Sequence, residues 1–329
     1  MTVSVRHVAR RARVSIGTVS NVLNRPEIVA PATLEKVQQA MDELGFVSSS
    51  FAKKINASNS KTLALLLPDV SNPLFTEIAR GAEDAANQNG YSLFLCNHDH
   101  SHEKERKYIQ TLAGQNVQGI MIWPTRGKTD NLDFLRSNNI AVTLIDTNRY
   151  FDVHCSAKVD GIRGGHVAIG HLVDLGHTDI TYVYENTINQ FIERGEGAKQ
   201  AAAEMGATLN FIDIPSPTTH GGELAAKKFL DSKSKSSAVF CGNDLIALGF
   251  MRGLIEAGIK IPEDISVIGF DDHEFSETMG LTTIAQPPRF LGQLAASQIL
   301  AAIEKPESRL GSITVPTTLV IRESVAKLN

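Results

Sequence analysis

Asn72, Asp146, Asp160, Arg194, Asn243, Asp271 and Gln286 stand at or just beyond the ends of apolar runs, with Phe75 close by in the chain. Carboxylates accept hydrogen bonds from hydroxyls, Arg and Asn donate them, and an aromatic plate packs on an apolar C–H face. Such a set suits a polyhydroxylated ring. Each residue also has an ordinary role open to it. Asn72 precedes Pro73 and Asp244 opens a helical stretch, so turn formation and helix capping compete with ligand contact. Their joint placement favours binding. Enzymatic chemistry finds little support: there is no G-x-G-x-x-G or P-loop, GEGAKQ at 195–200 lacks a third glycine and a preceding strand, and neither G-x-S-x-G nor H-E-x-x-H occurs. His98, His100 and His102 alternate in HDHSH, but with no cysteine or fixed fourth ligand they read as a solvated loop. No catalytic residue, cofactor or metal is expected.

The elements that must position these residues follow from periodicity. LALLL (63–67), SLFLC (92–96), GIMIW (119–123), AVTLI (141–145), ITYVY (180–184), FIDI (211–214), AVFCG (238–242) and SVIGF (266–270) are strand-like, each followed by a helical stretch. Apolar strands alternating with amphipathic helices imply parallel sheets covered on both faces, the doubly wound α/β architecture, whose ligands bind beyond the carboxyl ends of strands.

The first sixty residues differ. Val5, Val8, Ala9 and Ala12 mark one face of a helix ending near Val14, with Arg6, Arg10, Arg11 and Arg13 on the other face. Ser15 is placed to cap a second helix that buries Val19, Val22 and Leu23 and turns Ile16, Gly17, Ser20 and Asn21 outward. Pro31 begins a third helix through Leu34, Val37, Met41 and Leu44, which Gly45 stops. Residues 1–61 hold nine Lys and Arg against four acids, a net +5, so the remainder carries −9 of the overall −4. A basic head on an acidic body suits a polyanion-binding module joined to something else.

With 329 residues, two domains or slightly more are expected. The longest aliphatic run, Leu63 to Leu67, is far below the roughly 18 residues of a membrane span. Four arginines stand near the N-terminus where a signal peptide would be apolar, so export is not expected and the cytoplasm is. Cys96, Cys155 and Cys241 are odd in number and widely spaced, and read as buried reduced thiols.

VRHVARRARVSIGTVSNVLN resembles the DNA-binding headpiece of the lactose-repressor (LacI/GalR) family, whose pattern runs D-V-A-x-x-A-G-V-S-x-x-T-V-S-R-V-L-N. The resemblance implies that Ser15, Ile16, Gly17, Thr18, Ser20, Asn21 and Asn24 meet DNA, with the second helix in the major groove. Arg13 stands where the family has Gly, and Asn21 where it has Arg. Asn pairs with adenine where Arg prefers guanine. FVSSSFAKKINASNSKT has a linker composition, and by the same resemblance forms a hinge helix on operator DNA. Ile55 would be the wedge in the minor groove, with Lys53 and Lys54 on phosphates.

VSNPLFTEIARGAEDAANQNGYSL, VFCGNDLIALGFMRGLIEAGIKIPEDISVIGFDD and LTTIAQPP are similar to the same family's effector domain, which shares the fold of periplasmic sugar-binding proteins. The resemblance implies an α/β protein with a helix-turn-helix headpiece (1–47), a hinge (48–60) and a two-subdomain effector-binding and dimerisation domain (61–329). It also implies a homodimer on a pseudo-palindromic operator and no membrane partner. ERGEG (193–197) and TIAQ (283–286) are similar to segments of ribose-binding proteins, which places Asn72, Phe75, Asp146, Arg194, Asn243, Asp271 and Gln286 on a pentose. Thr147 replaces an expected Arg, Leu74 an aromatic, and PSPTTHGG lacks a stacking aromatic for which Phe191 or Trp123 would substitute. The expectation is a repressor controlled by ribose or a ribose-containing metabolite. A purine, a hexose and a sugar phosphate stay open as effectors, and a sugar-binding transport protein is the rival class.

Overall fold

The computed structural model describes residues 4–44, 46, 61–125, 130–138, 140–146, 155–305 and 311–328. Lys53, Lys54 and Ile55, expected to form the hinge, lie outside the described residues, as does Thr147.

Three helices, α1 (Val5–Ala12), α2 (Ile16–Asn24) and α3 (Pro31–Leu44), enclose Val8, Ala9, Val19, Val22, Leu23, Val37, Ala40 and Met41. The first ends two residues before Val14, where Arg13 takes the left-handed conformation at φ 56°. Ser15 caps α2 by accepting from the Thr18 amide at 2.9 Å. Arg11 on α1 pairs with Glu43 on α3.

From residue 62 onward, two six-stranded sheets form. The first takes β1 (Thr62–Leu67), β2 (Ser92–Asn97), β3 (Gly119–Ile122), β4 (Ala141–Ile145) and β5 (Cys155–Val159), with helices α4 (Pro73–Gln88), α5 (His102–Gly114) and α6 (Asp130–Ser137) between them. The second is built from α7 (Gly161–Asp174), β6 (Asp179–Tyr184), α8 (Asn189–Met205), β7 (Thr208–Asp213), α9 (Thr219–Asp231), β8 (Ala238–Cys241), α10 (Asp244–Glu256), β9 (Ser266–Asp271), α11 (Glu274–Thr278) and β10 (Thr282–Ala285). Then α12 (Pro288–Glu304) and β11 (Gly311–Val315) return to the first sheet, and β12 (Thr318–Val320) closes the second. The orders are β11-β5-β4-β3-β1-β2 and β12-β10-β9-β8-β6-β7, parallel throughout except β10 with β12. The chain thus crosses between lobes three times.

Each sheet repeats the 2-1-3-4-5 doubly wound order, in which the ligand crevice opens where strand order reverses, between the first and third strands of the unit. Buried Leu63, Leu65, Met121 and Ile145 pack under α4 and α12 in the first lobe. Tyr182, Phe240, Ile268 and Phe270 do so against α7 and α8 in the second. Strands β5, β10, β11 and β12 were not expected from apolar runs. Ser156 is buried in β5, and Thr282 and Thr283 are buried in β10 with their hydroxyls bonded to the Arg322 carbonyl and to Asp244. No helix among the described residues is long and apolar enough to cross a membrane.

Candidate functional site

The carboxyl ends of both sheets face one open cavity of about 430 Å³. From the first lobe it is lined by Asn72, Leu74, Phe75, His100 and Trp123. From the second come Ile188, Gln190, Phe191, Arg194, Pro217, Asn243 and Asp271. The two halves correspond: the loop or helix after the first, second and third strand of each sheet supplies the wall, and the end of the fourth strand of the second sheet adds Asp271.

Asn72 is the N-cap of α4, its Oδ1 accepting from the Leu74 amide at 2.9 Å. One turn into the helix, Phe75 meets Trp123 edge to face, ring centroids 5.0 Å apart at 89°. Asn243 caps α10 through Oδ1 and donates from Nδ2 to the Pro217 carbonyl at 3.3 Å. Capping and cavity lining thus coexist in Asn72 and Asn243.

Arg194 is 4% exposed. Its guanidinium lies 3.6 Å over the Phe270 ring, donates to the Gly242 carbonyl, and stands 3.5 Å from Asp271 Oδ1. Two features put it there. Tyr182 donates its hydroxyl to the Phe191 carbonyl at 2.8 Å, tying α8 to β6. Gly165 lets α7 approach so closely that a Cβ on it would sit 1.9 Å from the Arg194 carbonyl oxygen. Asp271 ends β9 at φ 122° and Asp272 follows at φ 61°, both in the region that L-residues rarely occupy, and such strain concentrates at binding sites. Gln286 donates to Asp271 Oδ1, and His273 Nε2 lies 3.5 Å from Oδ2. Burial opposes a charge on His273, but its hydrogen bond to Asp271 and the charges of Asp271, Asp244 and Asp272 outweigh that and raise its pKa.

The structure therefore brings Asn72, Phe75, Phe191, Arg194, Asn243 and Asp271 around one cavity. Gln286 stands behind it and reaches it through Asp271. Asp146 also lies outside the lining: its Oδ1 accepts from the Val159 amide at 3.0 Å, and burial lifts its pKa to about 6 against that bond and the Arg194 charge. Its carbonyl accepts from Gln190 Nε2 at 2.9 Å, a bond that joins the lobes at the cleft. Asp160 caps α7, accepting from the Arg163 amide, and does not line the cavity. Asp244 is wholly buried and receives bonds from the His273 amide, the Ser276 hydroxyl and the Thr283 hydroxyl. Burial and the charge of Asp271 push its pKa to about 6 despite them.

Reasoning from strand ends did not find Gln190, Ile188 or Pro217, which carry no distinctive residue pattern. HDHSH is corrected by the structure: His98 is fully buried, and His102 is partly buried beside Glu105. Cys96 is also only half-buried, while Cys155 and Cys241 are buried free thiols. In the three-helix unit, Ser15, Ile16, Gly17, Ser20 and Asn21 are exposed and Thr18 half-buried, so the face of α2 expected to read DNA is open.

Comparison with known proteins agrees with this geometry. Residues 4–49 match the family description "Bacterial regulatory proteins, lacI family", and 169–325 match "Periplasmic binding protein-like domain". The HTH-type transcriptional repressor PurR of Vibrio parahaemolyticus is 35% identical over 339 residues, covering 99% of each chain. A LacI family transcriptional regulator from Enterococcus faecium with bound ribose superposes with a TM-score of 0.75 at 33% identity, over 82% of this chain and all of that one. The lac repressor dimer bound to operator and the anti-inducer ONPF gives a TM-score of 0.78 at 25% identity, over 99% of this chain and all of that one.

Proposed function

This chain belongs to the LacI family of bacterial regulatory proteins and is a DNA-binding repressor of that type, and from that premise we propose that it is a cytoplasmic homodimer whose operator affinity is set by ribose or a ribose-containing metabolite held in the cleft. The parts divide as headpiece (1–47), hinge (48–60) and effector-binding and dimerisation body (61–329). On this reading no reaction is catalysed.

The observation that carries the effector reading is the buried trio Arg194, Asp271 and Asn243, facing Phe75 across the cavity. Arg194 and Asn243 donate to ring hydroxyls, Asp271 accepts from one, and Phe75 and Phe191 offer apolar plates. Asp146, Asp160 and Gln286 belong to the same proposed set. Asp146 and Gln286 act behind the first contacts, and Asp160 caps the crossover helix. Among the described lining residues the permanent charges are those of Arg194 and Asp271, which balance at 3.5 Å, so a neutral sugar suits the cleft better than a sugar phosphate. The relative with bound ribose supports the same choice. A purine is the second reading, favoured by the similarity to PurR repressors.

Closure on a sugar changes how the lobes meet across the Gln190–Asp146 bond, and with it the spacing of the two hinges. Differential affinity for two arrangements then becomes a change in operator affinity. Ser15, Ile16, Gly17, Thr18, Ser20, Asn21 and Asn24 read and flank the half-site. Lys53 and Lys54 hold phosphates, and Ile55 enters the minor groove. Asn21 favours adenine at its base pair.

The test combines operator selection with ligand response. Selection from random duplexes should return a pseudo-palindrome with adenine at the pair that Asn21 meets. Ribose should then release it, while Arg194→Ala and Asp271→Ala keep operator binding and lose the release. Binding without preference over random DNA at physiological salt would remove the regulator reading. Tightening of operator binding by a purine base, with no response to ribose, would replace the pentose with a purine.

A further inference from the structure

The HDHSH segment and the chain's only tryptophan form one unit. The His98 ring is fully buried, and its Nε2–H donates to the Trp123 carbonyl at 2.8 Å. Two residues on, the Thr125 amide donates to Glu105 Oε2 at 2.6 Å, and Glu105 Oε1 accepts from Asn131 Nδ2 at 2.7 Å. His102 Nδ1 lies 3.2 Å from the Thr125 hydroxyl, and its Nε2 lies 2.9 Å from Asp130 Oδ1. Glu105, Asn131 and Thr125 are each at most 3% exposed. The backbone from the Trp123 carbonyl to the Thr125 amide is thus clamped by buried His98, from the turn before α5, and by Glu105 of α5, which Asn131 of α6 holds. Burial lowers the pKa of His98, with the bond to Trp123 and the charges of Glu105 and Asp99 opposing. The imidazole is therefore kept in the neutral form that this donor bond uses.

What the clamp holds is an aromatic corner. The Trp123 and Phe75 rings meet at 89°, both line the cavity, and His100 stands in the same wall, its ring 6.3 Å from that of His98. The opposite wall carries the hydrogen-bonding groups, Arg194, Asn243 and Asp271, beside Phe191. A ligand that fits both has hydroxyls on one side and an apolar ring face on the other, which describes a cyclic aldose.

We infer that Trp123 is a specificity-determining contact of the cleft, the plate on which the C–H face of a pentose ring packs, and that His98, Glu105 and Asn131 are positioning residues that act through it. This deepens the proposed effector reading and rests on it. It also gives a role to the three histidines of HDHSH: two fix the wall and the third lines it.

As the sole tryptophan, Trp123 reports on itself. D-ribose should change the intrinsic emission of the full-length protein, and calorimetry should show its Kd raised at least tenfold by Trp123→Ala. Trp123→Leu keeps apolar volume without a π face and covers the case in which Ala unfolds. It should weaken ribose severalfold, whereas Trp123→Phe should lose less. His98→Ala should weaken ribose and alter acrylamide quenching of Trp123, and His98→Gln, whose amide can donate to the same carbonyl, should restore both. A Kd within twofold of wild type in Trp123→Leu or Trp123→Ala, with Arg194→Ala still losing ribose, would overturn this inference and leave the effector reading standing. No ribose binding by the wild type would overturn both.

Discussion

Asp146 and Asp244 are carboxyls whose charge the fold resists. Burial is the main cause in each, outweighing the Val159 amide bond and Arg194 charge at Asp146, and three hydrogen bonds at Asp244. Burial pushes both up to about 6 from the ordinary carboxyl value of 3.8. A folded pKa above the unfolded one means that folding takes up protons. The stability this contributes is complete below pH 4 and is lost as pH rises through 6. Asp146→Asn keeps an Oδ1 acceptor for the Val159 amide and cannot ionise. Urea unfolding should therefore show the variant level with wild type below pH 4 and about 3 kcal/mol more stable above pH 6. Parallel profiles across that window would mean that Asp146 stays ionised, with Arg194 compensating more of its burial than the geometry suggests. The same pair explains why Asp146 was legible as a polar strand end while its orientation was not. Its left-handed φ of 54° turns the carboxyl toward β5, a strand with no apolar signature of its own.

At the scale of elements, close helix contact sets the cleft. Gly165 on α7 and Gly197 on α8 leave no room for a Cβ, which would fall 1.9 Å from the Arg194 carbonyl oxygen and 1.8 Å from that of Ile162. Gly165→Ala must push the helices apart and displace the segment that carries Arg194. The overpacking should cost about 1–3 kcal/mol of stability in urea. Effector affinity should fall with it, since a buried guanidinium fixed by Gly242 and Phe270 has little slack. Unchanged ribose affinity in a destabilised variant would show that α8 moves without Arg194. Sequence periodicity reveals strands and helices whose burial is uniform, such as LALLL at β1 or VFC within β8. It misses β10, where Thr282 and Thr283 are buried but bond to Arg322 and Asp244 about forty residues away. His98 is hidden for the same reason, because the carbonyl that satisfies it is 25 residues distant. It also overstates burial at the sheet edge, since Phe94 and Leu95 on β2 are roughly half exposed. The polar strand ends were readable because the doubly wound order places them by topology alone. Their second partners were not, because those depend on which loops the crossovers bring together.

At the scale of the whole molecule, one cleft formed by two lobes, with the proposed hinge between them and the headpiece, would couple distant sites. The lobes share three chain crossings, near residues 160, 286 and 316, so their relative rotation is confined. Cleft closure has few degrees of freedom through which to act. If ribose lowers operator affinity by some factor, linkage requires that saturating operator lower ribose affinity by the same factor, and couplings of this kind run to about 1–3 kcal/mol, or roughly 5- to 150-fold. Calorimetry of ribose with and without an operator duplex measures one arm. Operator titration with and without ribose measures the other. The two factors should agree for the wild type. In Ile55→Gly, with the proposed minor-groove wedge removed, both should collapse toward one while ribose still binds the free protein at wild-type affinity. Factors near one in the wild type would mean that ribose and operator do not share an equilibrium. Equal but undiminished factors in Ile55→Gly would route the coupling through the body without the proposed hinge.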